Sequence, residues 1–412
     1  MSVVLLEDVA QLEEALGLRY RLGQEQRAVV TAPLDSALVV AGAGSGKTET
    51  MSLRVAWLVG TGQVRADEVL GLTFTRKAAG ELAERVTRAV ERIQAWAGAG
   101  PGSPPGSDLT PVLQERPQAR TYHSFAADLV SSHAALLHLD EVRLLGEAAA
   151  HQLVDRVVRD WPHPLDVGME PRAVATAVLA LAGECAEHRV GADRLGEVLD
   201  EHVVLLGQQL DAGLLSTAAQ REVLDSLRRR RALVPLLAAY TARKRDAGLL
   251  DHGDQVLLAA EVAAVPEVAA ELRAEHRVVF LDEYQDTSAV QTDLLSALFG
   301  DGHPVTAVGD PHQSIFGWRG ASSGTLGRFL RRFSRVDGTP PSRFTLSTSW
   351  RNPRLVLDVA NRVAADLRTT SEASGGLEVG VLHPAPSAVP GQVRAAYLKT
   401  CLLYTSPSPR DS

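Results

Sequence analysis

Cysteine is almost missing from this 412-residue chain: Cys185 and Cys401 are its only two. Two thiols cannot build a disulfide framework, so a reducing, cytoplasmic setting is the default. No apolar run reaches the ~18–20 residues that cross a bilayer, and the N-terminus lacks a signal-peptide pattern, so no membrane partner is expected. Excess positive charge is missing too, since 42 Lys and Arg face 50 Asp and Glu for a formal net charge of −8. That removes a global attraction for polyanions while leaving room for a local basic groove. Cys185 precedes His188 by one helical turn, but two lone ligands do not make a zinc site; a buried thiol beside a surface imidazole accounts for them. No repeat at a solenoid period is evident.

What is present begins with 45% hydrophobic residues, enough for real cores, and a length that suggests two to three domains. Ala37 to Val40 and Val69 to Phe74 read as strands. Lys77 to Arg92 has helical spacing, with Ala78, Ala79, Leu82, Val86 and Val90 on one side. A Gly/Pro/Ser-rich stretch between Gly98 and Pro111 reads as a surface excursion. From about His133 to Asp246 the text is Ala/Leu/Val-rich with helical periods, an all-helical insertion. The α/β pattern resumes at Arg277, with strands near Val278–Asp282 and Pro304–Val308. Arg335 to Ser342 reads as a linker, and Phe344 to Ser347 as the start of a new unit.

The chemistry lies at two strand ends. Ala41-Gly42-Ala43-Gly44-Ser45-Gly46-Lys47-Thr48 follows the first strand and opens a helix. Its glycines let successive backbone N–H groups converge on phosphate oxygens, and the helix presents its positive end to them. Lys47 supplies a point charge to the β and γ phosphates, and Thr48 a hydroxyl for Mg²⁺. The strict pattern asks for Gly at position 41, where this chain has Ala41. Far downstream, a buried parallel strand ends in Asp282-Glu283. Asp282 suits Mg²⁺, and Glu283 an attacking water. The cofactors expected are therefore ATP and Mg²⁺.

Further runs follow in order: Leu22–Ala32 with Gln26; Leu72-Thr73-Phe74-Thr75-Arg76-Lys77-Ala78-Ala79; Thr121-Tyr122-His123-Ser124-Phe125. Next come Leu281 to Ser288, Val308 to Ala321 with Gln313, Trp318 and Arg319, and Leu346 to Asn361 with Ser349-Trp350-Arg351-Asn352-Pro353. Taken together with the phosphate loop, they resemble the superfamily 1A DNA helicases of the UvrD/Rep/PcrA type over residues 20–362. The resemblance implies a RecA-like P-loop NTPase core with a parallel sheet. Domain 1A would occupy residues 1–132 and 246–334, interrupted by a helical domain 1B at 133–245. The start of a second RecA-like domain, 2A, would occupy 343–400.

It implies a 3′→5′ translocase on single-stranded DNA that unwinds duplex junctions in repair or recombination. Gln26 would read the adenine edge, Gln313 sense the γ-phosphate, and Arg351 stabilise transition-state charge. Phe74 and Trp318 are candidates to stack on bases, with core packing the alternative for each. Thr73, Thr75, Thr121, His123 and Arg319 are candidates for backbone or phosphate contacts. Phe125 reads as helix packing, and the Arg228–Arg231 run as a solvated helix face.

Departures accompany the match. Many such proteins carry Arg after the loop threonine, where it packs on the nucleotide; here stands Glu49, and position 76 is Arg76 rather than Asn. Glu49 and the Ser-Trp-Arg-Asn form lean toward motor subunits of helicase–nuclease complexes related to RecB and AddA, with a second subunit as partner. Nothing after Arg362 matches the family's last two motifs, so the isolated chain is expected to bind nucleotide weakly and not to unwind DNA, a non-catalytic nucleotide-binding fragment being the alternative. Residues 401–412 read like the translation of a transposase-type sequencing adaptor, a non-native tail; the natural frame is expected to depart near Thr400.

Overall fold

The computed structural model describes residues 5–18, 20–98, 116–138, 143–165, 167–215, 217–314, 324–368, 377 and 379–394. Trp318, Arg319 and the 401–412 tail lie outside them. Ten strands are described: β1 (Ala37–Ala41), β2 (Val69–Thr73), β3 (Gln118–Thr121), β4 (Arg143–Leu144), β5 (Leu249–Leu250), β6 (Val278–Leu281), β7 (Val305–Gly309), β8 (Ser342–Leu346), β9 (Thr348–Ser349) and β10 (His383–Pro384). The helices before the insertion are α1 (Val9–Ala15), α2 (Gln24–Val30), α3 (Lys47–Gly60), α4 (Arg76–Gly98) and α5 (Tyr122–Ser132). The insertion carries α6 (Glu147–Arg159), α7 (Pro171–His188), α8 (Ala192–Asp211) and α9 (Ala218–Asp246). After it come α10 (His252–Ala263), α11 (Pro266–Glu275), α12 (Ala289–Phe299), α13 (Thr325–Arg332) and α14 (Arg354–Val363). None of the described helices is long and apolar enough to cross a membrane.

Six strands form one parallel sheet in the order β3-β2-β6-β7-β1-β8. Its four central strands are buried throughout, as continuous apolar runs covered on both faces should be. Alternate residues point to opposite faces. Leu38, Val40, Leu70, Leu72, Val279 and Leu281 pack against α5, α10 and α12. Val39, Ala41, Val69, Val278, Phe280 and Val308 pack against Met51, Val55 and Leu58 of α3 and Leu82, Val86 and Val90 of α4. Phe125 is buried in the first of these layers.

Helices α6, α7 and α9 share a separate core of Val154, Val157, Val178, Leu236, Leu237 and Tyr240. This bundle joins the sheet layer where β4 pairs with β5 and where buried Lys244 at the end of α9 meets Asp251 and, at 2.7 Å, Asp254 of α10. Arg228, Arg229 and Arg231 form ion pairs with Asp225, Glu222 and Asp200, in keeping with a solvated face.

One placement differs from the expectation that a new unit starts at 343. Strand β8 pairs in parallel with β1 from Ala37↔Ser342 to Ala41↔Leu346, so it is the sixth strand of the first sheet. The 335–341 segment is a turn fastened by Arg335 to Asp35 at 3.0 Å, which delivers β8 to the open edge of β1. The ladder satisfies that edge and buries Leu346.

Candidate nucleotide and nucleic-acid site

Parallel strands deliver their C-terminal ends to one rim, where ligands of open α/β sheets bind. Ala41 ends β1 and leads into the loop, whose Gly44 and Gly46 have φ of +75° and +83°. A Cβ on Gly44 would stand 2.8 Å from Ser349 Oγ, so that site is closed to a side chain on two counts. The Ser45 hydroxyl donates to the Gly42 carbonyl at 2.8 Å, fixing the loop's curl. Lys47 and Thr48 open α3.

Asp282 and Glu283 stand at the end of β6, two strands from β1. The Lys47 ammonium lies 2.8 Å from Glu283 Oε2. Glu283 takes a left-handed backbone, φ +50°, which turns the chain sharply after the strand. Its N–H donates to Asp282 Oδ1 at 3.0 Å. Asp282 is 5% exposed, and burial, reinforced by the Glu283 charge and opposed by Lys47, pushes its carboxyl up to about 6. The Tyr122 hydroxyl supports the turn by donating to the Asp282 carbonyl at 3.0 Å.

Gln285 received no role in the sequence, yet it joins the two acidic strand ends. Its amide N–H groups donate to Glu283 Oε2 at 2.8 Å and Asp286 Oδ2 at 3.3 Å. Its carbonyl accepts from the Asp310 backbone N–H at 3.0 Å. Gly309 makes room for it, since a Cβ there would stand 2.5 Å from Gln285 Oε1. Asp310 Oδ2 in turn accepts from the Gln313 amide at 2.6 Å. Lys47, Glu283, Gln285, Asp310 and Gln313 thus form one hydrogen-bonded chain across the sheet rim.

The other side of the loop is covered by the segment after β8. Ser349 Oγ and Asn352 Nδ2 donate to the Ala43 carbonyl at 3.0 and 3.3 Å, and Trp350 N–H to the Gly44 carbonyl at 2.8 Å. Arg351 sits beside the loop, its Cβ 3.0 Å from the position a Gly44 Cβ would take. Glu25 of α2 holds this segment: its carboxylate accepts from the Ser347 N–H at 2.8 Å and from the Ser347 hydroxyl. Gln26, beside it, accepts the Gly23 N–H at 3.3 Å. Trp350, which carried no assigned role in the sequence, is 40% exposed and stands with Gln26 around Gly46.

The expected nucleic-acid residues separate. Phe74, Thr121 and His123 line one cavity of about 880 Å³ between the sheet layer and α7. Phe74 is half-buried, its ring 4.9 Å from that of Tyr122, so core packing and an open face coexist in it. Thr121 caps α5 by accepting the Ser124 N–H at 3.1 Å, and exposed Thr75 accepts the Ala78 N–H at 3.1 Å. Thr73 is 1% exposed and offers no surface to a strand in this conformation.

Hard oxygen donors suit a small divalent cation. The Thr48 hydroxyl at the start of α3 and the buried Asp282 carboxylate at the end of β6 are donors of that kind. Among the described residues no cluster of three or more His, Cys, Asp or Glu forms an all-protein metal cage.

A family model described as UvrD/REP helicase N-terminal domain matches residues 22–334. The chain is 32% identical to the ATP-dependent DNA helicase UvrD2 of Mycobacterium tuberculosis over 353 residues, 84% of this chain and 44% of that protein. It is 29% identical to UvrD1 of the same organism over 358 residues, 84% of this chain and 39% of the relative. DNA helicase II of Escherichia coli is 27% identical over 343 residues, 82% and 40% of the two chains. The chain spans less than half the length of these curated relatives.

Proposed function

The chain belongs to the UvrD/REP helicase family, and from that premise we propose that it carries the nucleotide-hydrolysing part of an ATP-dependent, 3′→5′ DNA translocase acting at duplex junctions in repair or recombination. In this reading domain 1A comprises residues 1–132 and 246–346, extended by β8. Domain 1B comprises 133–245, and 2A begins near 347.

Gln26 reads the adenine edge and Trp350 takes one face of the base. Loop N–H groups and Lys47 bind the phosphates, and Thr48 and Asp282 hold Mg²⁺, which when bound spreads charge from the β and γ phosphates. Lys47 cannot serve phosphate and Glu283 equally. As it turns to the γ-phosphate it releases the Glu283 carboxylate, which orients water and accepts its proton. Arg351 approaches from above the loop to stabilise developing charge. Gln313 is linked to Glu283 through Asp310 and Gln285, so a change at Glu283 is felt at Gln313. Phe74, together with Trp318, offers stacking surfaces to successive bases, each worth ~1–3 kcal/mol. Thr75, Thr121, His123 and Arg319 serve the backbone of the strand, with Thr73 reached only after rearrangement.

The observation that carries the reading is the unbroken chain from Lys47 to Gln313 across three strand ends. The test is ATP hydrolysis with and without single-stranded DNA. Stimulation by the strand and its loss in Lys47→Ala are expected; undiminished turnover in Lys47→Ala would overturn the assignment.

A further inference from the structure

Three side chains ring the end of the phosphate loop. A Cβ on Gly46 would lie 3.7 Å from Gln26 Nε2, 3.9 Å from Trp350 Cδ1 and 3.9 Å from Glu49 Cβ. Gln26 offers amide groups for a ring edge, and Trp350 offers a half-open aromatic face. Glu49 fits neither purpose, and one residue past Thr48 a bare carboxylate repels a triphosphate. It is not bare: Glu49 Oε2 accepts from Arg85 Nη1 at 3.1 Å. Arg85 rises from α4, which packs on α3, and the pair borders a hollow of about 420 Å³ beside Leu18 and Ser52. Both partners are about half-exposed, with side chains 42% and 51% accessible, so the pair does little for the fold itself.

We infer that the Glu49–Arg85 pair is the second wall of the base pocket, Arg85 supplying a planar guanidinium opposite Trp350 and Glu49 holding it there. Guanidinium planes stack on aromatic rings as an ammonium does not, and pairing cancels the carboxylate's repulsion of phosphate. Arg85 then contributes selectivity for a purine nucleotide over phosphate alone, and Glu49 is a positioning residue. The inference rests on the nucleotide reading above, deepening it.

The experiment is calorimetric titration of the 412-residue chain with Mg·ATP and, separately, with Mg·tripolyphosphate. Glu49→Gln/Arg85→Gln preserves the pair's zero net charge while removing the guanidinium plane. It should weaken ATP about fivefold, the scale of an exposed cation–π contact, and leave tripolyphosphate unchanged. Glu49→Gln alone, which frees Arg85, should lower the ATP preference by part of that amount. An unchanged ATP-to-tripolyphosphate ratio in the double variant would overturn the inference and leave the phosphate site standing. If neither ligand binds the unaltered chain, the nucleotide reading itself fails, and this wall with it.

Discussion

The Lys47 ammonium and the Glu283 carboxylate, 236 positions apart in sequence, stand 2.8 Å from each other across the sheet rim. On the proposed mechanism each is thereby kept from its task until something displaces the other. Glu283→Gln then removes both the charge that holds Lys47 and the proposed base. ATP binding should persist or tighten in this variant, while turnover falls about 10²–10⁴-fold, the range of general-base catalysis. Equilibrium binding alongside single-turnover hydrolysis checks both halves; parallel loss of the two would refute the assigned role.

Glu283 also holds an unfavourable backbone. A left-handed non-glycine residue costs of order 1 kcal/mol, and Asn tolerates that region better. Glu283→Gln and Glu283→Asn both lose the ion pair with Lys47, but only Asn relieves the backbone, so the Asn variant should be the more stable of the two by up to about 1 kcal/mol. Urea melts of the two variants measure this, and equal stabilities would show that the turn is unstrained.

Among the described residues Arg54 is the most buried cation. It is 1% exposed, and burial pushes its guanidinium down to about 10. It donates to the carbonyls of Val29, Ala32 and Pro33 at 2.8–2.9 Å and to Thr306 Oγ1 at 3.2 Å, binding the end of α2 to α3 and β7. Arg54→Ala strands these carbonyls and should cost about 3 kcal/mol or more. Arg54→Lys should recover less than half of the loss, because an ammonium cannot span the fork. Chemical denaturation of both variants reads the difference.

Acid sensitivity should arise at His303. Burial lowers its pKa to about 4 and lowers that of the nearby His276, with Arg273 and Arg120 adding repulsion for the respective protonated rings. The unfolded chain takes up these protons near the ordinary value of 6.5, and the folded one does so later. The contribution of His303 is therefore full above about pH 6.5 and declines as pH falls toward 4, by up to about 1.4 kcal/mol per pH unit, and His276 acts in the same direction. His303→Asn should flatten that decline in melts between pH 7 and 4.5; an unchanged slope would exclude His303 as its source.

The central strands were legible because a parallel strand covered on both faces must be an apolar run, and β1, β2, β6 and β7 each are. The placement of Lys47, Asp282 and Glu283 at one sheet rim was legible because it follows from a loop or a pair of residues at a strand end. Strand β3, Gln-Ala-Arg-Thr, was not, since an edge strand half-open to water has no reason to be apolar. The seat of β8 was illegible for another reason, as its partner Ala37 lies some 300 residues away and nothing near Ser342 records the pairing. The covering of the loop by Trp350, and the hold of Glu25 on Ser347, follow from that seat and were hidden with it. Arg54 reads in sequence as any solvated helix cation; only the carbonyls that gather around it reveal otherwise.

The ladder between β1 and β8 also decides how force can enter the loop. Five paired positions run parallel to β1 and stop at Leu346, immediately before the residues that grip Ala43 and Gly44. A ladder pulled along its length loads every rung at once, whereas beyond Leu346 the chain is held by separate hydrogen bonds, from Ser347 to Glu25 and from Ser349, Trp350 and Asn352 to Ala43 and Gly44. A displacement of α14 would therefore strain those single bonds first, with β1 still in register. The cover of the loop is the weaker attachment, and the strand beneath it the stronger.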